Sequence, residues 1–329
     1  MLVGEDGAKW ASGENTAFRV DGKYWVNNHA HVLRPHRDVL LDDWLVHFLN
    51  HSDLSSSVSG LTVPKLNQAN LREILIPVPP LSEQQRIMHN IHQALEGIAI
   101  AKANTEKNLK NAQALFESYL RTVFAQNREG WQTRKLGEVC DFLNRGVSPK
   151  YLEQGGICVL NQKCIRNHKI YYEFSRSHDL SEKKVAQERF IQLGDVLVNS
   201  TGTGTLGRVA QVREHPLEPT TVDSHVTIVR PKTAMFHLDF FGYMMIMIEE
   251  SIKNAGEGCG GQTELARSIL AQKFSVSFPD SISEQQIIVA KLDALAAETQ
   301  RLESIYQRKL DALEALKKSL LAQAFAGNL

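Results

Sequence analysis

The stretch NSTGTGTLGR (199–208) sets Gly202, Gly204 and Gly207 at the G-x-G-x-x-G spacing that cradles a dinucleotide pyrophosphate, and Asp223 follows Gly202 by 21 residues. Such a fingerprint has to follow a strand and open a helix, because the helix N-terminus faces the phosphates. QLGDVLVNS supplies the strand, but TGTGTLGRVAQVREHP alternates and stops at Pro216, so it reads as strand, glycine turn, strand. The spacing then belongs to a tight turn, and Asp223 is the residue before a strand. Ser200, Thr201, Thr203 and Arg208 stay as candidate phosphate contacts beside a structural reading of the turn. His47 and His51 stand at i and i+4, but no Glu follows His47 and no third ligand is near, so no metal is expected. VPPL (78–81) lacks the Asn and aromatic of an adenine methyltransferase N-P-P-[YF] motif, DLSEKK (179–184) is too tight for a nuclease carboxylate pair, and no Walker A sequence occurs. The chain is expected to be non-catalytic and to bind no cofactor.

Other residues suit nucleic acid. Arg and Lys match guanine O6/N7, and Asn and Gln match adenine N6/N7. NQKCIRNHKIYY (161–172) offers Asn161, Gln162, Lys163, Arg166, Asn167, Lys169, Tyr171 and Tyr172, and NRGVSPKY (144–151) adds Arg145 and Lys150. With Thr201 and Arg208, and leaving out Tyr172, these are the candidate DNA-binding residues. The overall charge does not announce them: Lys+Arg and Asp+Glu are both 37, which argues against a sequence-independent polyanion binder but not against a local patch. Four cysteines (Cys140, Cys158, Cys164, Cys259) form no C-x-x-C pair and are expected to be reduced. No signal peptide is read at MLVGEDGAKW, and FFGYMMIMI (240–248) is too short to span a bilayer, so no membrane is expected and the cytoplasm is the expected location.

The elements that must position these residues come in two copies. LSEQQ (81–85) returns as ISEQQ (282–286), an offset of 201, and VFAQN returns as AFAGN. Upstream, SGLT (59–62) faces GGQT (260–263), NHAHVLRP (28–35) faces SHVTIVRP (224–231), and MLVGEDG (1–7) faces VLVNSTG (196–202), pairing Gly7 with Gly202 and His29 with His225. The two histidines are expected to be hydrogen-bonded structural residues. HLDFFGYMMIMIEES and RDVLLDDWLVHFLNH read as matching helices. Each copy then ends in one long helix, with Ser82 or Ser283 as the expected N-cap and Gln85 or Gln286 at the third position. A heptad stripe runs through Ile288, Leu292, Leu295, Thr299, Leu302, Tyr306, Lys309, Leu313, Leu316 and Leu320. The weaker first copy has Ile87, Ile91, Ala94, Ile98, Ala101, Thr105, Asn108, Ala112, Leu115 and Tyr119. At 1.5 Å per residue each helix is a rod of roughly 65 Å, and so long a stripe needs a partner helix, the other copy being nearest. The expected interface residues are Ile87, Ile91, Ile98, Leu115, Ile288, Leu292, Leu295, Leu302, Leu313, Leu316 and Leu320.

This duplicated unit resembles the specificity subunit of type I restriction–modification systems over essentially the whole chain. The resemblance rests on the paired helix starts (Pro77 to Gln85; Pro279 to Gln286), on the ending LLAQAFAG, and on GDVLV…TG…GRVA…SHV…IVRP. It implies an α+β fold: mixed α/β target recognition domains joined by two long antiparallel coiled-coil helices. It also implies that each domain reads half of a bipartite duplex site, with the helices setting the spacing and docking methyltransferase subunits. Those subunits carry S-adenosylmethionine, methylate adenine, and are joined by a restriction subunit. Since Met1 aligns with Val196, residues 131–195 have no counterpart in copy one. The expected layout is the C-terminal half of a first recognition domain (1–62), a spacer helix region (63–128), a complete recognition domain (129–263) and a second spacer region (264–329), truncated within the first domain. Two chains are then expected to assemble and restore two readers. The competing reading is an oligomerising scaffold that binds methyltransferase subunits without reading DNA; a nucleotide-dependent enzyme ranks third.

Overall fold

The computed structural model describes residues 1–60, 62–124, 129–256 and 264–328. Leu61, residues 125–127 of the VFAQN match, Cys259 and the GGQT stretch lie outside them. Contacts divide the chain into two units, residues 1–112 with 301–329, and residues 113–300. The fold is α+β, with two long antiparallel helices shared between the units.

In the first unit, the Leu2–Gly4 strand pairs antiparallel with Ala17–Phe18 on one side and Ala30–Val32 on the other. Its inner face, Val3 and Ala17, packs under Leu45 and Leu49 of the Asp42–His51 helix. Asp42 and Asp43 sit in the first turn of that helix, where the backbone N–H groups favour negative charge. Trp44 leaves the same helix in another direction. Its indole N–H donates to Pro77 O at 2.8 Å, and its ring meets Phe325 edge-on at 5.0 Å. Around it Ile87, Met88 and Ile91 of the first long helix (Leu81–Val123) cluster with Leu321 and Ala324 of the second (Ile282–Phe325). Further along, Lys102 lies 3.9 Å from Glu314, so the helices run antiparallel in this unit.

In the second unit, a four-stranded antiparallel sheet has the order Val209–Gln211, Val196–Asn199, Val226–Pro231, Cys140–Arg145. One of its two central strands, Val196–Asn199, is buried on both faces (VLVN), which is why it reads as a continuous apolar run. A second sheet orders Thr220–Val222, Ile157–Leu160, Arg176–His178 and Tyr151–Leu152, the first pair being parallel. The Leu238–Met247 helix buries Phe240, Phe241, Tyr243, Met244 and Met245 in a core that also takes Leu120, Val123 and Phe124 of the first long helix and Ile288, Val289 and Leu292 of the second. Burying each such side chain stabilises by about 2 kcal/mol.

The duplication extends to register. Leu2 faces Val32 as Leu197 faces Ile228, and Val3 faces His31 as Val198 faces Thr227. At the helix starts the repeated glutamine is a lock. Gln84 is fully buried; its amide N–H groups donate to Val39 O and Pro79 O, and its oxygen accepts from Leu41 N–H. Gln285 makes the matching bonds to Met235 O, Pro279 O and His237 N–H. Here the sequence reading is corrected: the helices begin at Leu81 and Ile282, so Ser82 and Ser283 lie inside them, and Gln85 and Gln286 are exposed.

The stripe is corrected too. Both helices follow the expected register up to Thr105 and Tyr306, then take a second successive step of four, through Leu109 and Leu310 rather than Asn108 and Lys309. Phe116 and Lys317 therefore turn inward, while Leu115 and Leu316 are 51% and 48% exposed. A straight helix of 3.6 residues per turn drifts against a strict 3.5-residue repeat, and an extra four-residue step resets it. Among the other expected interface residues, Ile87, Ile91, Ile288 and Leu292 are buried, and Ile98, Leu295, Leu302, Leu313 and Leu320 are half-buried.

Candidate nucleic-acid interface

The glycine turn joins two antiparallel strands and opens no helix, so it is not a dinucleotide cradle. Gly202, Gly204 and Gly207 have φ of +104°, +77° and +81°. The φ of Gly202 calls for glycine, and a Cβ there would also push aside the Thr205 hydroxyl and the Gln162 amide that bond to each other. Asp223 is buried beside its strand, where desolvation pushes its carboxyl pKa up.

Three ties fix the base of this turn. Ser200 N–H donates to His225 O and Leu265 N–H to Ser200 O, both at 2.8 Å, and Thr201 Oγ1 lies 2.8 Å from His225 Nδ1. The first unit repeats them: Glu5 N–H to His29 O (2.9 Å), Leu66 N–H to Glu5 O (2.8 Å), and Asp6 Oδ1 to His29 Nδ1 (2.6 Å). The paired histidines and Thr201 thus serve the shared framework. Arg145 is engaged as well, pairing with Glu264 at 2.6 Å and donating to Leu265 O at 2.9 Å. Asn161 caps the short turn Gln162–Cys164, accepting from Lys163 N–H at 2.8 Å and donating to Phe174 O at 2.7 Å. Gln162 accepts from the Thr205 hydroxyl through its side chain and from Asn199 Nδ2 through its carbonyl. These bonds make 161–172 and the glycine turn one platform.

What this platform displays is a hairpin, Ile165–Arg166 paired with Lys169–Ile170. Its tip, Asn167 and His168, has φ of +49° and +58°, a left-handed pair suited to a two-residue hairpin but strained for residues with a Cβ. The strain is held by His168 Nε2, 3.2 Å from Glu249 Oε2. Burial pushes the Glu249 carboxyl up, yet hydrogen bonds from His168, Lys253 and the Val209 N–H outweigh it and hold its pKa at about 2. Lys163, Arg166, Asn167 and Lys169 are exposed. The Arg166 guanidinium lies over the Phe174 ring at 4.8 Å, with Tyr171 6.4 Å from that ring. Exposed cations, an amide and aromatic faces can meet phosphates, base edges and bases respectively. Lys150 is exposed 3.9 Å from Glu182, and Arg208 donates to Gly204 O at 2.8 Å.

Sequence reasoning missed Phe174, which lies two residues past the stretch it singled out, and the clamp of His168, Glu249 and Lys253. The i, i+4 pair Glu249–Lys253 was visible in EESIK, but nothing in the sequence tied it to a turn some eighty residues earlier. Elsewhere His47 lies 5.5 Å from His92. Among the described residues no group of His, Cys, Asp and Glu is arranged to hold a metal. Burial pushes the Cys140 and Cys164 thiols up to about 12 and about 11, which keeps both protonated. Among the described residues no helix is long and apolar enough to cross a membrane.

Comparison with known proteins agrees with this architecture. The chain is 23% identical over 321 residues to the specificity subunit of the type I restriction enzyme EcoKI of Escherichia coli K12, covering 91% of this chain and 68% of that protein. Two further relatives match over only 22% and 36% of their own length. A chain from a structure of the assembling type I R-M system shares the fold with a TM-score of 0.76 at 22% identity, covering 92% of this chain and 75% of that one. The HsdS subunit of Thermoanaerobacter tengcongensis shares it with a TM-score of 0.59, again at 22% identity and covering 92% and 74%. The family described as type I restriction modification DNA specificity domain matches residues 13–111 and 128–311. With the duplicated framework and its paired helices, this match shows that the chain belongs to the type I restriction–modification DNA specificity family.

Proposed function

We propose that the chain is a sequence-reading DNA-binding subunit that targets an adenine methyltransferase, and a restriction subunit with it, to a duplex site. The observation that carries this reading is the hairpin with its exposed Lys163, Arg166, Asn167 and Lys169 beside Phe174, raised on a framework that the first unit shares without that hairpin. The chain reads rather than reacts; S-adenosylmethionine and the methyl transfer belong to the partner, and the complex works in the cytoplasm. Leu115 and Leu316 support the docking of two like partners. They are exposed at equivalent positions of the two helices, each flanked by an exposed alanine and serine that are identical in both copies (Ala114, Ser118; Ala315, Ser319). An apolar residue kept at the surface in both copies suits a repeated interface better than either helix's own packing.

The test is selection from a random duplex pool by the full chain, alone and with a type I methyltransferase subunit, followed by Lys163→Ala with Arg166→Ala. The reading expects an enriched sequence and weaker specific binding by the variant. No enriched sequence under either condition favours the scaffold, a reading that the zero net charge and the exposed helix leucines also fit. Two chains assembling would bring two complete recognition domains into one particle. Sedimentation that finds only monomer at micromolar concentration, without the methyltransferase subunit, counts against that assembly.

A further inference from the structure

Arg208 holds the glycine turn with one N–H, to the carbonyl of Gly204 at 2.8 Å. The first unit shows how little that task needs. There Thr16 stands at the equivalent place, since Gly4 N–H donates to Thr16 O as Asn199 N–H donates to Arg208 O. The Thr16 hydroxyl donates to Lys9 O at 2.7 Å, the matching turn carbonyl. A buried hydroxyl therefore does the structural work in one copy, and an arginine with four more N–H donors does it in the other.

Those surplus donors border a concavity of about 590 Å³ between the glycine turn and the Ile165–Ile170 hairpin, lined also by Arg166, His168, Thr205, Glu249 and Lys253. Its one carboxylate, Glu249, is already taken up by Lys253 and His168. Two guanidinium groups are left without a carboxylate partner among the described residues, Arg166 braced on Phe174 and Arg208 braced on Gly204 O. Two braced guanidiniums make a site for a tetrahedral dianion or a phosphodiester, not for a base edge, which needs a planar bidentate approach. We propose that this concavity seats a backbone phosphate of the bound duplex, with Arg166 and Arg208 as its ligands and the His168–Glu249–Lys253 clamp holding the wall. The proposal rests on the DNA-reading function above and adds that this part of the platform fixes position rather than sequence.

The substitution to make is Arg208→Thr, which places at 208 the residue type that the first unit uses at this point of its own turn and removes the charge, at the cost of the single bond to Gly204 O. Binding of the full chain, assembled with a methyltransferase subunit, is measured by fluorescence anisotropy over 50–200 mM salt. The probes are the selected duplex and a scrambled one of equal length. The seat predicts a melting temperature within about 4 °C of the wild type, for the loss of one turn hydrogen bond, together with roughly threefold to tenfold weaker binding to both duplexes and a slope of log K against log salt lower by about 1. Unchanged affinity and slope overturn the seat while leaving the DNA reading intact, as does a loss confined to the selected duplex, which would make Arg208 a base reader. A wild-type complex that distinguishes no sequence overturns the DNA reading itself.

Discussion

The glutamine lock at each long-helix start gives the sharpest test of how this fold is held. Gln285 is fully buried and its three hydrogen bonds, at 2.8 to 2.9 Å, all go to backbone groups: the N–H of His237 and the carbonyls of Met235 and Pro279. Gln285→Leu keeps the volume and leaves one N–H and two carbonyls, buried or part-buried, without their glutamine partner. Each such group costs about 1–3 kcal/mol, and the more apolar side chain returns part of it, so the expected loss is about 4 kcal/mol. For a unit of this size that is a fall of roughly 10 °C in melting temperature. The neighbouring Gln286→Ala removes an exposed side chain and should cost under about 0.5 kcal/mol. Because a chain of two units need not unfold in one step, the assay is denaturant-dependent amide exchange read on peptides that contain His237 or Leu41. Gln285→Leu should accelerate exchange around His237, and Gln84→Leu around Leu41. Equal costs for Gln285→Leu and Gln286→Ala, or a Gln285→Leu cost below 1 kcal/mol, would refute the reasoning and return the helix start to an ordinary capping box.

Three further outcomes follow from the charges. Glu249, held at about 2 against an ordinary 4.5, contributes about 3 kcal/mol that is present above pH 4.5 and lost as pH falls through about 2. Glu249→Gln should therefore be destabilised at pH 7 and approach the wild type near pH 2 in chemical unfolding. His47 is depressed by burial and by His92, whose ring faces it, with Asp43 opposing and Lys317 adding to the shift. The folded state then resists the proton that the unfolded chain accepts, so stability should fall below pH 6.5 by at most about 1.4 kcal/mol per pH unit, and His47→Leu should flatten that slope in melting curves. Arg230 grips Asp195 through two bonds of 2.8 Å, and burial still pushes the Asp195 carboxyl up. Asp195→Ala should cost about 3 kcal/mol because it leaves the guanidinium without a carboxylate, held only by the Glu188 and Phe190 carbonyls, and the double variant with Arg230→Met should recover part of that in the same assay.

Much of the architecture was legible because it is written twice. The repeat at LSEQQ and ISEQQ, the strand patterns of VLVNS and SHVTIVRP and the long apolar stripes depend on local periodicity, which survives in one dimension. The rejection of a nucleotide cradle also came from the sequence, since RVAQVRE alternates where a helix was required. The residues of 161–172 were visible as a type of surface, but their division of labour was not. Asn161, Thr201 and Arg145 look as suited to DNA as Arg166 does, and only the structure shows that they are also tied into the platform, to Phe174 O, His225 and Glu264.

What the sequence determined by itself is therefore the duplicated plan, two α+β frameworks with two long helices, because burial periodicity and turn chemistry act between near neighbours. What tertiary structure decided is the use of individual side chains. The stripe moves off Leu115 and Leu316 because helix pitch accumulates over many turns. Gln84 rather than Gln85 becomes the lock because only one of them faces the buried carbonyls of a distant loop. Arg208 gains donors to spare because its structural task, measured against Thr16, needs only one hydrogen bond.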